Sequence, residues 1–248
     1  MEIYSHNRLS YYEQCPLKYK LRYIDKLPPQ VGQSIEAFLG IRVHETLEKL
    51  YDNELNGIPN KFDEIKNYFI QTWEENWNGD IQIINKRYKP IDYKQNGIDY
   101  ITNYFLKNLP FNQDKTIALE KELIFKIDDE NIKIKGIIDR LAKHHDRYII
   151  HDYKTGKKLP SKKSLSDDRQ LGIYALALKQ NYENVEKIEL IWHFLAHERE
   201  IKIKPKSNDL KNLEKNLILK IKKVENTKKF PSKKSFLCNW CEYYSMCF

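Results

Sequence analysis

The sequence contains no Gly-x-x-x-x-Gly-Lys segment, so it carries no phosphate loop for a nucleotide-driven motor. No apolar run reaches the roughly 20 residues that a membrane-spanning helix needs. The opening Met1-Glu2-Ile3-Tyr4-Ser5-His6 is polar and lacks the order of a signal peptide. A soluble, cytoplasmic protein without a membrane partner is therefore expected. No internal repeat and no low-complexity tract occurs, which argues against solenoids and disordered tails. Cysteines number only four. In a reducing compartment they point to metal or cluster ligation in place of disulfides.

What is present suffices for one large core. The chain has 248 residues, 41% of them hydrophobic, and aromatic residues are plentiful. Lys and Arg number 43 against 35 Asp and Glu, a formal charge of +8. The excess favours a polyanionic partner, although it is spread along the chain.

The first half reads as mostly helical. Residues 5–26 suit two short helices around Cys15-Pro16, and Pro16 fits a first helical position. Leu27-Pro28-Pro29-Gln30 is a break. Helical spacing resumes from Glu36 to Leu55, and Asn60 is placed to cap a helix carrying Phe62, Ile65, Phe69 and Trp73 on one face. A further helix is expected over Asp92–Leu106. The character changes near Thr116. Leu119–Ile127 and Ile132–Ile138 are β-like and joined by Asp128-Asp129-Glu130-Asn131, and Tyr148–Tyr153 is a third strand. A helix over Asp167–Lys179, strands over Lys187–Ala196 and Glu200–Lys204, and an amphipathic helix through Leu210, Leu213, Leu217, Ile221 and Val224 complete a mixed sheet wrapped by helices.

Two segments carry the chemistry. Gly136-Ile137-Ile138-Asp139 is an apolar strand that ends in a carboxylate, and Ile149-Ile150-His151-Asp152-Tyr153-Lys154 is a second strand. Side chains alternate along a strand, so Asp152 and Lys154 share one face while His151 and Tyr153 share the other. If the strands are neighbours, Asp139 and Asp152 converge. A divalent cation relieves their repulsion, and Mg²⁺ prefers such oxygen ligands. A lysine one repeat away can orient a water or neutralise charge on a phosphate. An Asp followed by Asp-x-Lys is common, and by itself it reads as charge at strand ends.

The cysteines form a second constellation. Cys15 stands near the start, and Cys238, Cys241 and Cys247 stand together at the end. Four thiolates complete the ligand set of a 4Fe–4S cluster or of structural zinc, and the spacing leaves both open.

Asp139-Arg140, then Asp152-Tyr153-Lys154-Thr155-Gly156, resembles the signature of PD-(D/E)XK nucleases, and the RecB-like branch in particular. The resemblance runs from Ser5 to Cys247 and is weakest over 45–115. It implies an α/β, restriction-endonuclease-like mixed sheet flanked by helices, with an N-terminal helical region. It also implies one nuclease domain over 1–248. Within it, 1–35 is an N-terminal arm, 36–115 the helical region, 116–205 the nuclease core, and 206–248 a C-terminal helix and cysteine segment. In Gly40-Ile41-Arg42-Val43-His44, His44 matches the family's additional metal ligand. The implied Mg²⁺ or Mn²⁺ site comprises His44, Asp139, Asp152 and the Tyr153 carbonyl, and Lys154 positions the attacking water. Gln170 and Tyr174, which share a helical face, match the family's Gln-x-x-x-Tyr pair facing the site and DNA. Family members often carry a glutamate at the position of Glu120. Glu122 competes for that role, and a strand-surface charge is the expectation for both.

Cys15-Pro16, Phe230-Pro231 and the terminal segment with Trp240 and Tyr243 are similar to the iron–sulfur subgroup of this branch. That subgroup includes AddB-type nuclease subunits and CRISPR-adaptation nucleases. The resemblance implies a 4Fe–4S cluster on Cys15, Cys238, Cys241 and Cys247, pinning the two ends of the chain. It further implies phosphodiester hydrolysis in DNA, mostly from single-stranded ends. An exonuclease of repair or recombination, with a helicase partner, is the first reading. A CRISPR-adaptation nuclease that trims spacer precursors is the second. A non-catalytic cluster-bearing DNA-binding module is the third, and the intact Asp139, Asp152 and Lys154 speak against it.

Overall fold

The computed structural model describes residues 2–127, 132–161, 165 and 168–247. Strand β1 (Ile3–Ser5) leads into helices α1 (His6–Gln14) and α2 (Pro16–Tyr19), the latter continued by a π-helical turn over Lys20–Ile24. Helices α3 (Ile35–Leu55), α4 (Phe62–Asn76) and α5 (Pro90–Asn108) form the helical region. Strands β2 (Lys115–Ile127), β3 (Ile132–His144) and β4 (Arg147–Lys154) follow, then α6 (Arg169–Asn181), β5 (Lys187–Phe194), β6 (Arg199–Ile203) and α7 (Ser207–Glu225). Among the described residues no helix is long and apolar enough to cross a membrane.

The sheet is mixed, as expected. β2 runs antiparallel along one edge of β3, while β1 (parallel) and β4 (antiparallel) share the other edge. β1 pairs with Lys133–Lys135 and β4 with Arg140–His144, so the edge between them is open. β5 lies parallel to β4, with α6 in the crossover, and β6 closes the sheet antiparallel to β5.

Each face is covered by helices for the same physical reason: half the strand residues are apolar and need partners. On one face, Ile134, Ile138, Leu141, Ile150 and Trp192 pack against Leu171, Ile173 and Leu178 of α6 and Leu217 and Ile221 of α7. On the other, Tyr153 and Leu195 join a core formed by α3, α4 and α5. In α4, Ile65, Phe69 and Trp73 recur at helical spacing and are buried.

Several expectations shift. Asp139 does not end its strand, because β3 continues to His144 and gains the pairing with β4. Asn60 does not cap α4. Lys61 precedes the helix, and the Asn60 amide instead donates to the Leu50 carbonyl and accepts from Asn53. The α6 helix starts at Arg169, with Asp168 accepting from the Leu171 N–H. Leu195–His197 is a 3₁₀ turn in place of strand. β1 was not anticipated, since three residues are too few to show alternation. The expected turn at 128–131 lies outside the described residues.

Candidate active site

The open edge of β3 creates the site. β4 leaves β3 after the Arg140–His151 pair, so the Asp139 carboxylate reaches across and accepts the Tyr153 backbone N–H at 2.8 Å. From the facing helix α3, His44 Nε2 lies 2.9 Å from the Tyr153 carbonyl and Nδ1 lies 3.5 Å from Asp139 Oδ2. With the Nε2 proton donated to the carbonyl, the Nδ1 lone pair faces a carboxylate lone pair. A cation or a second ring proton relieves that opposition.

Glu120 joins them. Ligand-capable atoms of His44, Glu120 and Asp139 all lie within 4.8 Å of one another. The alternation of β2 resets here. Ala118, Leu123 and Phe125 pack toward α6, yet Leu119 packs toward the helical region. Glu120 itself is left-handed, at φ 41°. Such a backbone costs a non-glycine residue roughly 1–3 kcal/mol, and it turns the carboxylate into the cleft. Glu122 is exposed and paired with Lys135, whereas Glu120, also exposed, lies beside His44 and Asp139.

Asp152 stands apart from that trio. Lys154 Nζ lies 2.6 Å from its Oδ2, while Lys154 also donates to Gln170 Oε1 at 2.8 Å. The Gln170 amide in turn donates to the Tyr174 hydroxyl at 2.8 Å. Both motif glycines make room for this arrangement. A Cβ on Gly136 would meet the Tyr174 ring at 2.7 Å, and one on Gly40 would meet the Thr155 hydroxyl at 3.3 Å.

The electrostatics are those of an incomplete site. Asp152 is only 1% exposed, and its close polar contact is the Lys154 ammonium. Burial pushes its pKa up to about 6, against the pull of Lys154 and with the help of Asp139. Glu120 is pushed up to about 7, first by desolvation and then by Asp139, although part of its side chain meets solvent. Burial works against the Lys154 charge, but Asp152 more than offsets it and the pKa is raised. The donor set, carboxylates with one imidazole and one carbonyl, suits a hard divalent cation.

The opposite face of β4 carries a polar network instead. Arg140 donates to Asp114 at 2.6 Å and approaches the His151 ring at 2.8 Å, and His151 Nδ1 lies 2.8 Å from His193 Nε2. Glu200 pairs with His193 at 3.5 Å, and Arg140 sits 3.9 Å over the Tyr51 ring. The sequence placed His151 and Tyr153 on this face, but the polar network around them was not foreseen. Its only local signal is Arg140 directly after Asp139.

All four cysteines line one cavity between the N-terminal arm and the terminal segment. Burial, then the neighbouring Cys241, Cys15 and Cys238, push the Cys247 thiol up. Among the described residues no three thiols lie within 4.8 Å of one another. Tetrahedral zinc would hold its sulfurs about 3.8 Å apart, given Zn–S bonds near 2.3 Å.

The whole-chain comparison decides the family. A family model of the PD-(D/E)XK nuclease superfamily matches residues 3–248. The chain belongs to that superfamily. Among curated proteins, this nuclease-superfamily chain is 29% identical over 203 residues to the Gene 69 protein of Mycobacterium phage D29, covering 71% of the chain and 68% of the relative. The Gene 69 protein of Mycobacterium phage L5 is 38% identical over 84 residues, 34% of this chain and 27% of that one. A solved structure of a candidate exonuclease from Eubacterium rectale is similar over 99% of this chain and 87% of its own, with a TM-score of 0.51 and 15% identity. At that identity the likeness concerns the fold.

Proposed function

We propose that this protein is a divalent-metal-dependent deoxyribonuclease of the RecB-like branch, acting as an exonuclease on single-stranded ends. The observation that supports the reading is the grouping of His44, Glu120 and Asp139 within 4.8 Å, with the buried Asp152–Lys154 pair on the two residues that flank Tyr153. His44, Glu120, Asp139 and the Tyr153 carbonyl would hold Mg²⁺ or Mn²⁺, with Asp152 as the further carboxylate. Such a cation supplies Lewis-acid polarisation of the phosphate and lowers the pKa of water. Lys154, held as an ammonium by Asp152, donates to the attacking water or to the developing phosphate charge. Gln170 and Tyr174 fix its position.

The ligand-bearing residues come from α3 on one side and the sheet on the other. A nucleic acid must therefore enter between the two layers, which favours one strand over a duplex. The basic excess supplies phosphate affinity without sequence preference. Because no motor loop is present, a helicase partner would open duplex substrates, in repair or recombination. The test compares linear and circular single strands of one sequence with Mg²⁺ or Mn²⁺. Degradation of the linear strand alone is expected. Equal rates on both would mean endonuclease action.

The cysteine cavity is read as a 4Fe–4S site that staples the chain ends. What supports the reading is that all four cysteines line this one cavity, since a cubane takes one thiolate on each of its four irons. Protein purified without oxygen should contain iron and sulfide in matched amounts. Stoichiometric zinc without iron would refute the cluster.

A further inference from the structure

The reaction's lysine is anchored by Gln170, and Gln170 sits in the first turn of α6 beside Arg169. That neighbour does not face the site. Its guanidinium crosses to α1, where Nη1 donates to Glu13 Oε1 at 2.8 Å and Nη2 to Ser10 Oγ at 2.8 Å. A longer contact, 3.4 Å, reaches the His6 carbonyl. The Arg169 side chain is 11% exposed, while its partner Glu13 is 41% exposed.

We propose that Arg169 is a positioning residue for Lys154, acting through Gln170; the inference rests on the nuclease reading above. Gln170 is the second residue of its helix, where backbone order is weakest. Without a tether the first turn can fray, and the Gln170 amide then drifts from Lys154. Arg169 supplies the tether by bolting that turn to α1. The helix α1 is itself fixed at its far end. Lys233 Nζ donates to the Glu13 carbonyl at 3.0 Å, and the Lys233 N–H points to Cys15 Sγ at 3.3 Å. A continuous path therefore leads from the cysteine cavity through Glu13, Arg169 and Gln170 to Lys154.

Removing Arg169 does not strand its partner, because Glu13 also pairs with Lys220 of α7. Arg169→Ala should therefore fold. Misplacing a reacting group by a fraction of an ångström to an ångström costs roughly 10- to 100-fold in rate. The expected result is kcat lower by about tenfold, KM within about twofold of wild type, and only a small loss of melting temperature. A double-mutant cycle separates this role from a structural one. In a Gln170→Ala background, Arg169→Ala should lower kcat no further. The Gln170 side-chain amide resonances, assigned by their loss in Gln170→Ala, should shift and broaden in Arg169→Ala. That signal needs no turnover. If wild-type protein does not cleave DNA, the nuclease reading fails while the amide signal still tests the tether. Full additivity of the two substitutions, or an unmoved amide signal, would overturn the role given to Arg169.

Discussion

Asp152 and Asp114 are both buried carboxylates next to β4, and their proton affinities move in opposite directions. Asp152 faces α6 and pairs with Lys154, but burial outweighs that pairing and its pKa rises to about 6. Asp114 lies behind the sheet. There burial would also raise the pKa, but hydrogen bonds from His151 and Arg140 outweigh it and hold the carboxyl well below its usual range. Glu120 and Glu200 repeat the contrast, the first raised toward 7 and the second lowered by His193. One strand thus separates a face where burial outweighs the pairing of Asp152 with Lys154 from a face where His151 and Arg140 outweigh the burial of Asp114. A buried charge that its pairing does not fully offset lowers stability.

Breaking the open face should have the largest effect. Asp139→Asn, Asp152→Asn and Lys154→Ala should each lower cleavage by on the order of 1,000-fold or more. Asp152→Asn should do so while raising metal-free stability by about 1–3 kcal/mol, since burial penalises the Asp152 charge by more than its pairing with Lys154 returns. Urea unfolding measures this, and a clear loss of stability would mean that the Lys154 pairing outweighs the burial.

Breaking the polar network on the other face should act on the fold. Arg140→Met leaves Asp114 buried without its main partner and should cost about 3–5 kcal/mol. Gly136→Ala should cost about 1–3 kcal/mol, because the Tyr174 ring has to move, and it should also lower kcat. Both are read from denaturation midpoints. An Arg140→Met protein as stable as wild type would remove the contrast between the faces.

The smallest effect is on pH dependence without metal. Asp152 and Glu120 keep their protons longer when folded than when unfolded, so stability should fall as pH rises from about 4 to about 7. Asp114 acts in reverse. Its contribution is complete above about pH 4 and is lost as pH falls below that. Asp152→Asn should shrink the fall toward neutral pH and leave the acid limb in place. Stability that rises steadily from pH 4 to 7 would contradict these directions.

Much of this was legible in the chain. Period-two alternation put Asp152 and Lys154 on one face with His151 and Tyr153 on the other, and the structure keeps that division. Helical spacing gave α3, α4 and α7 their buried faces. The approach of Glu120 to His44 and Asp139 was hinted at only by the family resemblance, because its direction depends on a left-handed backbone that resets the strand. The network behind the sheet was hidden for a different reason. Asp114, Arg140, His151, His193 and Glu200 come from separate segments, and only the sheet register brings them together. His44 was found through a family motif and not through any pattern in its own helix.

The central claim, that the open face of β4 is a metal-dependent hydrolytic site, is tested most directly on an end-labelled linear single strand. Wild type and Asp152→Asn are compared with Mg²⁺ or Mn²⁺ and with a chelator. Wild type should release labelled products only with the metal, and Asp152→Asn should release almost none although it remains folded. Cleavage that persists in chelator, or an Asp152→Asn protein that cuts as fast as wild type, would contradict it.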